Sequence, residues 1–182
     1  MKAVSKQALI TNLEARIEQH LQMAIATYQN LSADKLLKPA PNNGWSMAQC
    51  LEHLNSYGRY YLPAIKNAMK KAPDQPHVKE FKSTWLGNYF TNLMEPGAKM
   101  KTMKAPKDHQ PSPDLDPSRV VAEFIEQQET LLRLLRSCAR KDMNKIKVPI
   151  SIAKWLRLRV GDAFRFLVAH NERHIVQAEK LR

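Results

Sequence analysis

Apolar residues recur along most of this chain at the three- and four-residue spacing that places them on one face of an α-helix. Such faces avoid water, and helices bury them by packing together. The pattern predicts four long helices, near residues 5–30, 46–70, 117–140 and 161–181. No segment shows a strand pattern that competes with this assignment. We therefore expect an all-α fold, a four-helix bundle, formed as a single domain over residues 1–182.

Capping residues mark the starts of two of these helices. Ser46 is followed three residues later by Gln49, which is the spacing of a capping box. Asp116 is a good N-cap, and Pro117 suits the first helical position because its missing N–H is not needed there. We therefore expect helices to begin at these points of the chain.

The connections between the helices are of very different lengths. The segment over residues 71–116 is long and rich in proline, and only Thr84 to Met94 looks helical within it. A connection of this length lets the next helix start from either end of the bundle. The segment over residues 141–159 is expected to be partly extended. We expect Trp85 and Trp155 to cover the ends of the bundle.

The formal charge of the chain is +12, which raises the question of an anionic partner. The basic residues are spread over nearly every segment, and no recognition helix or RNA-binding motif accompanies them. We therefore expect a solvated basic surface and not a nucleic-acid partner. The densest basic cluster lies in the proline-rich connection and consists of Lys99, Lys101, Lys104 and Lys107.

The sequence lacks the features of a membrane protein or a secreted protein. No apolar run approaches the length of a membrane span, so we expect no membrane partner. The first residues lack the apolar core of a secretory signal. Cys50 and Cys138 form no CxxC pair and no disulfide framework. We therefore expect both cysteines to be reduced and unlinked, in a cytoplasmic protein.

The most informative residues are His170 and His174, which stand four apart in the last predicted helix. Residues at this spacing lie one turn apart on the same face, so two imidazoles can bind one transition metal. His53 lies on the apolar face of the second predicted helix. If the two faces meet, three imidazoles converge and leave an open position, which is typical of a catalytic metal site.

A second interpretation is that these histidines are ordinary core residues. With six histidines in the chain, a pair at this spacing arises by chance in roughly one such chain in six. A lone histidine on an apolar face is also more often a hydrogen-bonded core residue than a ligand. The remaining histidines qualify less well, because one lies at the edge of a helix face and two in the proline-rich connection. They are His20, His77 and His109.

The residues next to the three histidines show which kinds of metal site the sequence does not match. A zinc metalloprotease needs HExxH, in which the glutamate follows the first histidine directly. Here Glu172 is the second residue after His170, so it points away and protease chemistry is not indicated. Cys50 and Tyr57 lie one turn from His53 on the same stripe. Both are typical core residues, although either is close enough to line a site at His53.

Two stretches of this sequence resemble the DinB/YfiT-like metalloenzyme family. They are GWSMAQCLEHL, over residues 44–54, and GDAFRFLVAHNERHIVQAEKL, over residues 161–181. The motif positions are a tryptophan before the capped second helix, a histidine on that helix and HxxxH on the last helix. In this chain they are Trp45, His53, His170 and His174. The resemblance covers nearly the whole chain and implies a four-helix bundle with up-down-down-up topology.

The resemblance also implies a function. Its members hold a divalent metal, nickel, zinc, manganese or iron, and the corresponding ligands here are His53, His170 and His174. Characterised members include thiol transferases that use low-molecular-weight thiols and metal-dependent hydrolases. The resemblance thus implies a metal-dependent hydrolase or thiol transferase acting on a small molecule, and a possible homodimer. Two alternatives remain open, a non-enzymatic metal-binding or structural bundle and a basic bundle that binds nucleic acid.

Overall fold

The computed structural model describes residues 2–41, 44–97 and 103–182, without the side chain of Lys154. The four predicted long helices are present in it, with ends within a few residues of those expected, and two shorter helices join them. The α-helices are α1 (Lys6–Ala26), α2 (Ala33–Leu37), α3 (Met47–Lys71), α4 (Trp85–Met94), α5 (Pro117–Ser137) and α6 (Val160–Glu179). The expected helix within the long connection is α4.

The predicted caps are also present. The Ser46 hydroxyl accepts from the backbone N–H of Gln49, and the Gln49 side chain accepts from the backbone N–H of Ser46, at 3.2 and 3.0 Å. This reciprocal pair is a capping box. Asp116 accepts from the N–H of Ser118 at 3.0 Å, and Pro117 is the first residue of α5. Both helices therefore begin where the sequence predicts.

Contacts between helices give the direction of each one. Asn55, early in α3, donates to the Val120 carbonyl early in α5 at 2.9 Å. Cys138, directly after α5, lies 3.5 Å from the sulfur of Met69 near the end of α3. The helices α3 and α5 are therefore parallel.

The other pairs complete the topology. The Lys6 ammonium at the start of α1 donates to the Ala139 carbonyl just after α5, at 2.7 Å, so α1 and α5 are antiparallel. Arg16 of α1 donates to Glu172 of α6 at 2.7 Å. Tyr61, late in α3, packs on Phe166 early in α6, with ring centroids 5.8 Å apart. The bundle is therefore up-down-down-up, as the resemblance implied.

The core is mainly aliphatic and falls into two clusters of buried side chains. The cluster at one end of the bundle contains Leu51 and Leu54 of α3. The cluster at the other end contains Tyr61 and Ile65 of the same helix. Between them on α6 lie His170 and His174, which belong to neither cluster, and His53 of α3 packs against both of these rings. The junction of the two clusters is thus where a polar site interrupts the apolar core.

Short strands complete the fold. Val4–Ser5 (β1) pairs with Glu80–Phe81 (β2), and Lys147–Ile150 (β3) forms an antiparallel hairpin with Ala153–Arg159 (β4). The expectation that this last connection is partly extended is confirmed. The strands are too few and too short to give a clear alternating pattern in the sequence.

The expected position of two tryptophans is wrong. Trp155 is 81% exposed and Trp85 is 76% exposed, so neither covers an end of the bundle. On β4 the buried residue is Leu158, and Trp155 is three positions away, so it projects from the opposite face of the strand. On α4 the solvent-facing side carries both Trp85 and Tyr89, whose rings stack with centroids 5.7 Å apart.

Cys50 and Cys138 are free, as predicted, and both are buried. Of the densest lysine cluster, Lys99 and Lys101 lie outside the described residues, and Lys104 is exposed. Within the described ranges, none of the helices combines the length and the hydropathy needed to cross a membrane.

Candidate metal centre

The three histidines singled out by the sequence converge in the core. Antiparallel packing of α3 against α6 brings His53 opposite His170 and His174, and all three are buried. The Nε2 atoms of His53 and His170 lie 3.2 Å apart. One ring nitrogen from each of the three residues lies within 4.8 Å of those of the other two. The turn between positions i and i+4 supplies two imidazoles, and the facing helix supplies the third.

Hydrogen bonds to the outer nitrogens orient two of these rings. The His53 Nδ1–H donates to the backbone carbonyl of His109 at 2.6 Å. The His174 Nδ1–H donates to the side-chain oxygen of Gln177 at 3.0 Å. Because oxygen atoms of this kind only accept, each bond places the proton on Nδ1 and leaves Nε2 with a free lone pair. Partners of this kind commonly orient histidines that bind metals.

A side-chain pair keeps the His109 carbonyl in place. The Ser56 hydroxyl donates to the His53 carbonyl at 2.7 Å and accepts from the Nδ1–H of His109 at 2.9 Å. The His109 ring also stacks on Tyr57, with centroids 3.8 Å apart. Because of its place in the proline-rich connection, His109 is a weaker candidate on sequence grounds. The structure shows that it is buried and that it acts on His53 through its main chain.

Burial keeps the three imidazoles neutral. Loss of hydration lowers the pKa of His53 to about 4 and that of His174 to about 3. The same cause, with the positive charge that His174 and His53 would carry when protonated, holds the pKa of His170 well below its usual range. Neutral imidazole is the form that binds a metal ion. Binding at this site therefore requires no proton to be displaced near neutral pH.

A cavity of about 690 Å³ opens directly onto the three histidines. Its aromatic walls are Trp45, whose ring lies 4.9 Å from that of His53, and Tyr57, whose ring lies 4.5 Å from that of His170. Tyr57 thus lines the site. Trp45, the tryptophan of the motif before the second long helix, also forms part of the wall. Within the described part of the chain, no aspartate or glutamate lines this cavity.

The geometry fits a divalent transition metal. Imidazole nitrogens about 2.0–2.1 Å from one ion lie roughly 2.9–3.4 Å apart in octahedral or tetrahedral geometry. The Nε2 atoms of His53 and His170 are 3.2 Å apart, which lies within this range. Three nitrogen ligands without a carboxylate suit zinc, nickel, copper or iron better than magnesium or calcium, which prefer oxygen. The buried Nδ1 of His170 has no hydrogen-bond partner among the described residues.

The polar neighbours on α6 have partners of their own. Glu172 binds Arg16 of α1 and so points away from the histidines, as its spacing predicts. Asn171 donates to the side-chain oxygen of Gln128 on α5 at 3.0 Å. Both residues therefore serve contacts between helices, and neither lines the cavity.

The remaining candidates do not join the group of three. Cys50 is enclosed by apolar side chains, which raise the pKa of its thiol to about 12. His77 is exposed. His20, expected at the edge of a helix face, is instead buried, and its Nε2 lies 4.0 Å from Glu172. The reason is that α6 packs over this part of α1.

Comparison with known proteins connects this site to a family. The family model of the DinB superfamily matches residues 16–178. A solved structure of YfiT from Bacillus subtilis, described as a probable metal-dependent hydrolase with an unusual four-helix bundle topology, has a similar fold. It is 19% identical, with a TM-score of 0.56 over 97% of this chain and 85% of that one. No curated protein matches the chain. This chain belongs to the DinB superfamily.

Proposed function

We propose that this protein is a metal-dependent enzyme that holds a divalent ion at His53, His170 and His174 and transforms a small molecule by hydrolysis or thiol transfer. The observation that carries the proposal is the convergence of three neutral imidazoles on the wall of an open cavity. Membership of the DinB superfamily and the description of YfiT as a probable metal-dependent hydrolase support it.

The chemistry follows from the ligand set. A divalent ion held by three imidazoles lowers the pKa of a bound water or thiol and polarises a carbonyl group. The cavity leaves room beside the histidines for such a group and for a substrate. A non-enzymatic metal-binding bundle, the main alternative, has no need of a cavity of about 690 Å³ at its metal.

The residues around the site have separate roles in this proposal. The carbonyl of His109 and the side chain of Gln177 orient His53 and His174. Trp45 and Tyr57 limit the access of water and offer flat apolar surfaces to a substrate. Because no carboxylate lines the described cavity, the reaction should not require a carboxylate as general base. A water or thiol that is activated by the bound metal needs no such base.

Metal content provides the first test. Protein purified without a histidine tag and incubated with zinc or nickel should retain one ion per chain after gel filtration, measured by elemental analysis. His53→Ala should reduce metal affinity strongly, because it removes one of three ligands. His20→Ala is the matched control, since it removes a buried histidine outside the group. Equal retention by both variants would contradict the proposed site.

Gln177 allows a more specific test of the same site. Gln177→Leu removes the oxygen that accepts from His174, and we expect metal affinity to fall by roughly tenfold to a hundredfold. Gln177→Glu keeps an acceptor and should restore most of the affinity. Competition with a fluorescent chelator measures both values. If Gln177→Leu binds metal as tightly as the unchanged protein, His174 is not oriented in the way we propose.

Activity separates an enzyme from a metal-binding bundle. We expect the metal-loaded protein to hydrolyse activated esters or to join a small thiol to an electrophile, and His53→Ala to lose that turnover. Metal bound at full occupancy without turnover in either screen would favour the non-enzymatic alternative. A steep salt dependence of DNA binding, with no retained metal, would favour the nucleic-acid alternative.

A further inference from the structure

The cavity beside the histidines carries a one-sided charge. Lys104, Arg173 and Lys180 contribute to its lining, together with the three neutral imidazoles and no described carboxylate. Within the described chain, neither Lys104 nor Lys180 forms an ion pair. The acidic residues that directly precede Arg173 and Lys180 are Glu172 and Glu179, and they are engaged by Arg16 and Arg182. The potential inside the cavity is therefore positive, and a low-dielectric wall strengthens such a potential.

A second, smaller cavity continues from the first. Its volume is about 170 Å³, and the linings of the two cavities share five residues, which are Tyr57, Met94, Met103, Lys104 and Pro106. The smaller cavity, called here the side pocket, lies between α3, α4, α6 and the tip of the β3–β4 hairpin. The residues that line the side pocket but not the larger cavity include Tyr61, Phe90, Leu93, Ile152 and Phe166. An apolar cavity of about 150 Å³ is large enough for benzene, so the side pocket matches a phenyl ring or a short branched alkyl group.

Helix α6 places these features in a line. Phe166, His170, His174, Gln177 and Lys180 follow one another at spacings of four, four, three and three residues, which keeps them on one face. Phe166 lines the side pocket. His170 and His174 belong to the histidine cluster, and Gln177 is hydrogen-bonded to His174. Lys180 lines the larger cavity and is exposed. The reactive centre therefore lies between an apolar end and a positively charged end.

We propose that the substrate is an organic anion with an apolar arm of about the size of a phenyl ring. The arm occupies the side pocket beside Phe166, and the negative group lies in the larger cavity toward Lys180. Lys104, which lines both cavities, adds to the attraction where they join. The bond that reacts then lies beside the three histidines. This inference rests on the proposed function for the position of the reactive bond, whereas the two recognition features stand on the cavities alone.

Binding of a non-reactive probe tests the inference directly. The probes are 6-phenylhexanoate, its neutral primary amide and hexanoate, titrated calorimetrically into the metal-loaded protein. We expect the ring to strengthen binding by about tenfold or more over hexanoate, because it becomes buried. We expect the acid to bind about threefold to tenfold more tightly than the amide, because two partly exposed ammonium groups attract it.

Matched variants assign these differences to residues. Lys104→Gln with Lys180→Gln should remove the preference for the acid over the amide. Lys66→Gln with Lys70→Gln makes the same change of charge at exposed positions that do not line either cavity, and should keep the preference. Leu93→Trp should fill the side pocket and reduce binding of 6-phenylhexanoate to the level of hexanoate.

The outcomes separate this inference from the proposed function. Absence of binding by 6-phenylhexanoate, equal affinity for acid and amide, or no gain from the ring would overturn the inference even if metal binds at the histidines. A protein that fails to retain metal but shows both preferences, with the expected response of the variants, would overturn the proposed metal function and support the inference. A preference for the acid over the amide that persists in the double variant of Lys104 and Lys180 would contradict the assigned recognition of the negative group.

Discussion

At the scale of single residues, the carbonyl oxygen of His109 has a specific part in the arrangement of the three histidines. It accepts the Nδ1–H of His53 and so directs the Nε2 lone pair toward His170. A water molecule could serve the same purpose, but a fixed carbonyl loses no entropy when a metal binds. The ring of His53 is therefore held in the orientation that the proposed metal site requires.

This contribution could not be predicted from the sequence. The three histidines could be singled out because helical spacing and apolar surroundings are visible in the pattern. Every residue has a backbone carbonyl, however, so nothing in the identity of His109 indicates that its own is used. Its position depends on how the proline-rich connection folds across α3, and on the bond between its ring and Ser56. Local patterns do not contain that information.

The lowered pKa values predict unusual acid resistance of metal binding. Burial lowers the pKa of His53 to about 4 and that of His174 to about 3, so protons compete with a metal only near those values. Exposed imidazoles, with a pKa of about 6.5, would be mostly protonated at a pH of about 5.5. We expect metal affinity at pH about 5.5 to stay within a few-fold of that at pH about 7, measured by equilibrium dialysis.

The same shifts give the sign of the effect on stability. In the unfolded chain these histidines have ordinary pKa values, so below pH about 6.5 the unfolded state binds more protons than the folded state. The metal-free protein should therefore lose stability as pH falls from about 6.5 toward the lowered values. Circular dichroism must confirm that the protein is folded at each pH of the dialysis. Release of metal from folded protein with a midpoint near pH 6.5 would contradict the burial argument.

At the scale of elements, the docking of α4 on α6 depends on one buried carboxylate. Asp162, in the first turn of α6, is fully buried and accepts from the N–H and the hydroxyl of Thr84, at 3.1 and 3.0 Å. It also accepts from the hydroxyl of Ser83. The start of α4 is thereby tied to the start of α6. This contact positions Phe90 and Leu93 over the side pocket.

Close approach of the two helices requires glycine at position 87. A Cβ atom added to Gly87 would lie 2.1 Å from Cγ of Asp162, which is buried and cannot move away without losing its hydrogen bonds. We expect Gly87→Ala to lower the free energy of unfolding by about 1–3 kcal/mol. Chemical denaturation measures the change. Gly97→Ala is the control, because nothing lies within 4 Å of its added Cβ, and it should be close to neutral.

The elements themselves could largely be predicted, for reasons that differ between them. The starts of α3 and α5 carry capping residues, whose interactions are local and therefore visible in the sequence. The β3–β4 hairpin is less visible, because its partner strands are four and seven residues long and interrupted by a shift in register. The exposure of Trp155 follows from its face of β4, which becomes known only with the pairing.

At the scale of the whole molecule, topology is the property that the residues alone left open. The apolar stripes identify the buried face of each helix but not which helices are neighbours. Only the family resemblance implied the up-down-down-up arrangement. Charge pairs across the bundle agree with that arrangement, since Arg136 of α5 binds Glu14 and Glu18 of α1, and Arg59 of α3 binds Glu123 of α5. Part of the excess of basic residues thus serves contacts between helices.

The bundle should remain folded when metal is removed. Along α6, His170 and His174 lie between two clusters of buried apolar side chains, and these clusters, not the histidines, join the helices at both ends. Chelation should therefore leave the far-UV circular dichroism spectrum unchanged. Chelation should lower the Tm, because an ion that binds only the folded state raises the free energy of unfolding. The rise is about 3–4 kcal/mol when the ion concentration is a hundred to a thousand times its Kd.

A variant distinguishes the loss of bound metal from other effects that a chelator has on the Tm. His170→Ala should keep the helical spectrum and show the same Tm with and without added metal, since it lacks one ligand. The unchanged protein should show a rise in Tm that grows with the logarithm of the metal concentration. Loss of the helical spectrum on chelation would mean that the metal holds the bundle together. In that case the two clusters would be insufficient on their own, and the ion would be a structural element of the fold.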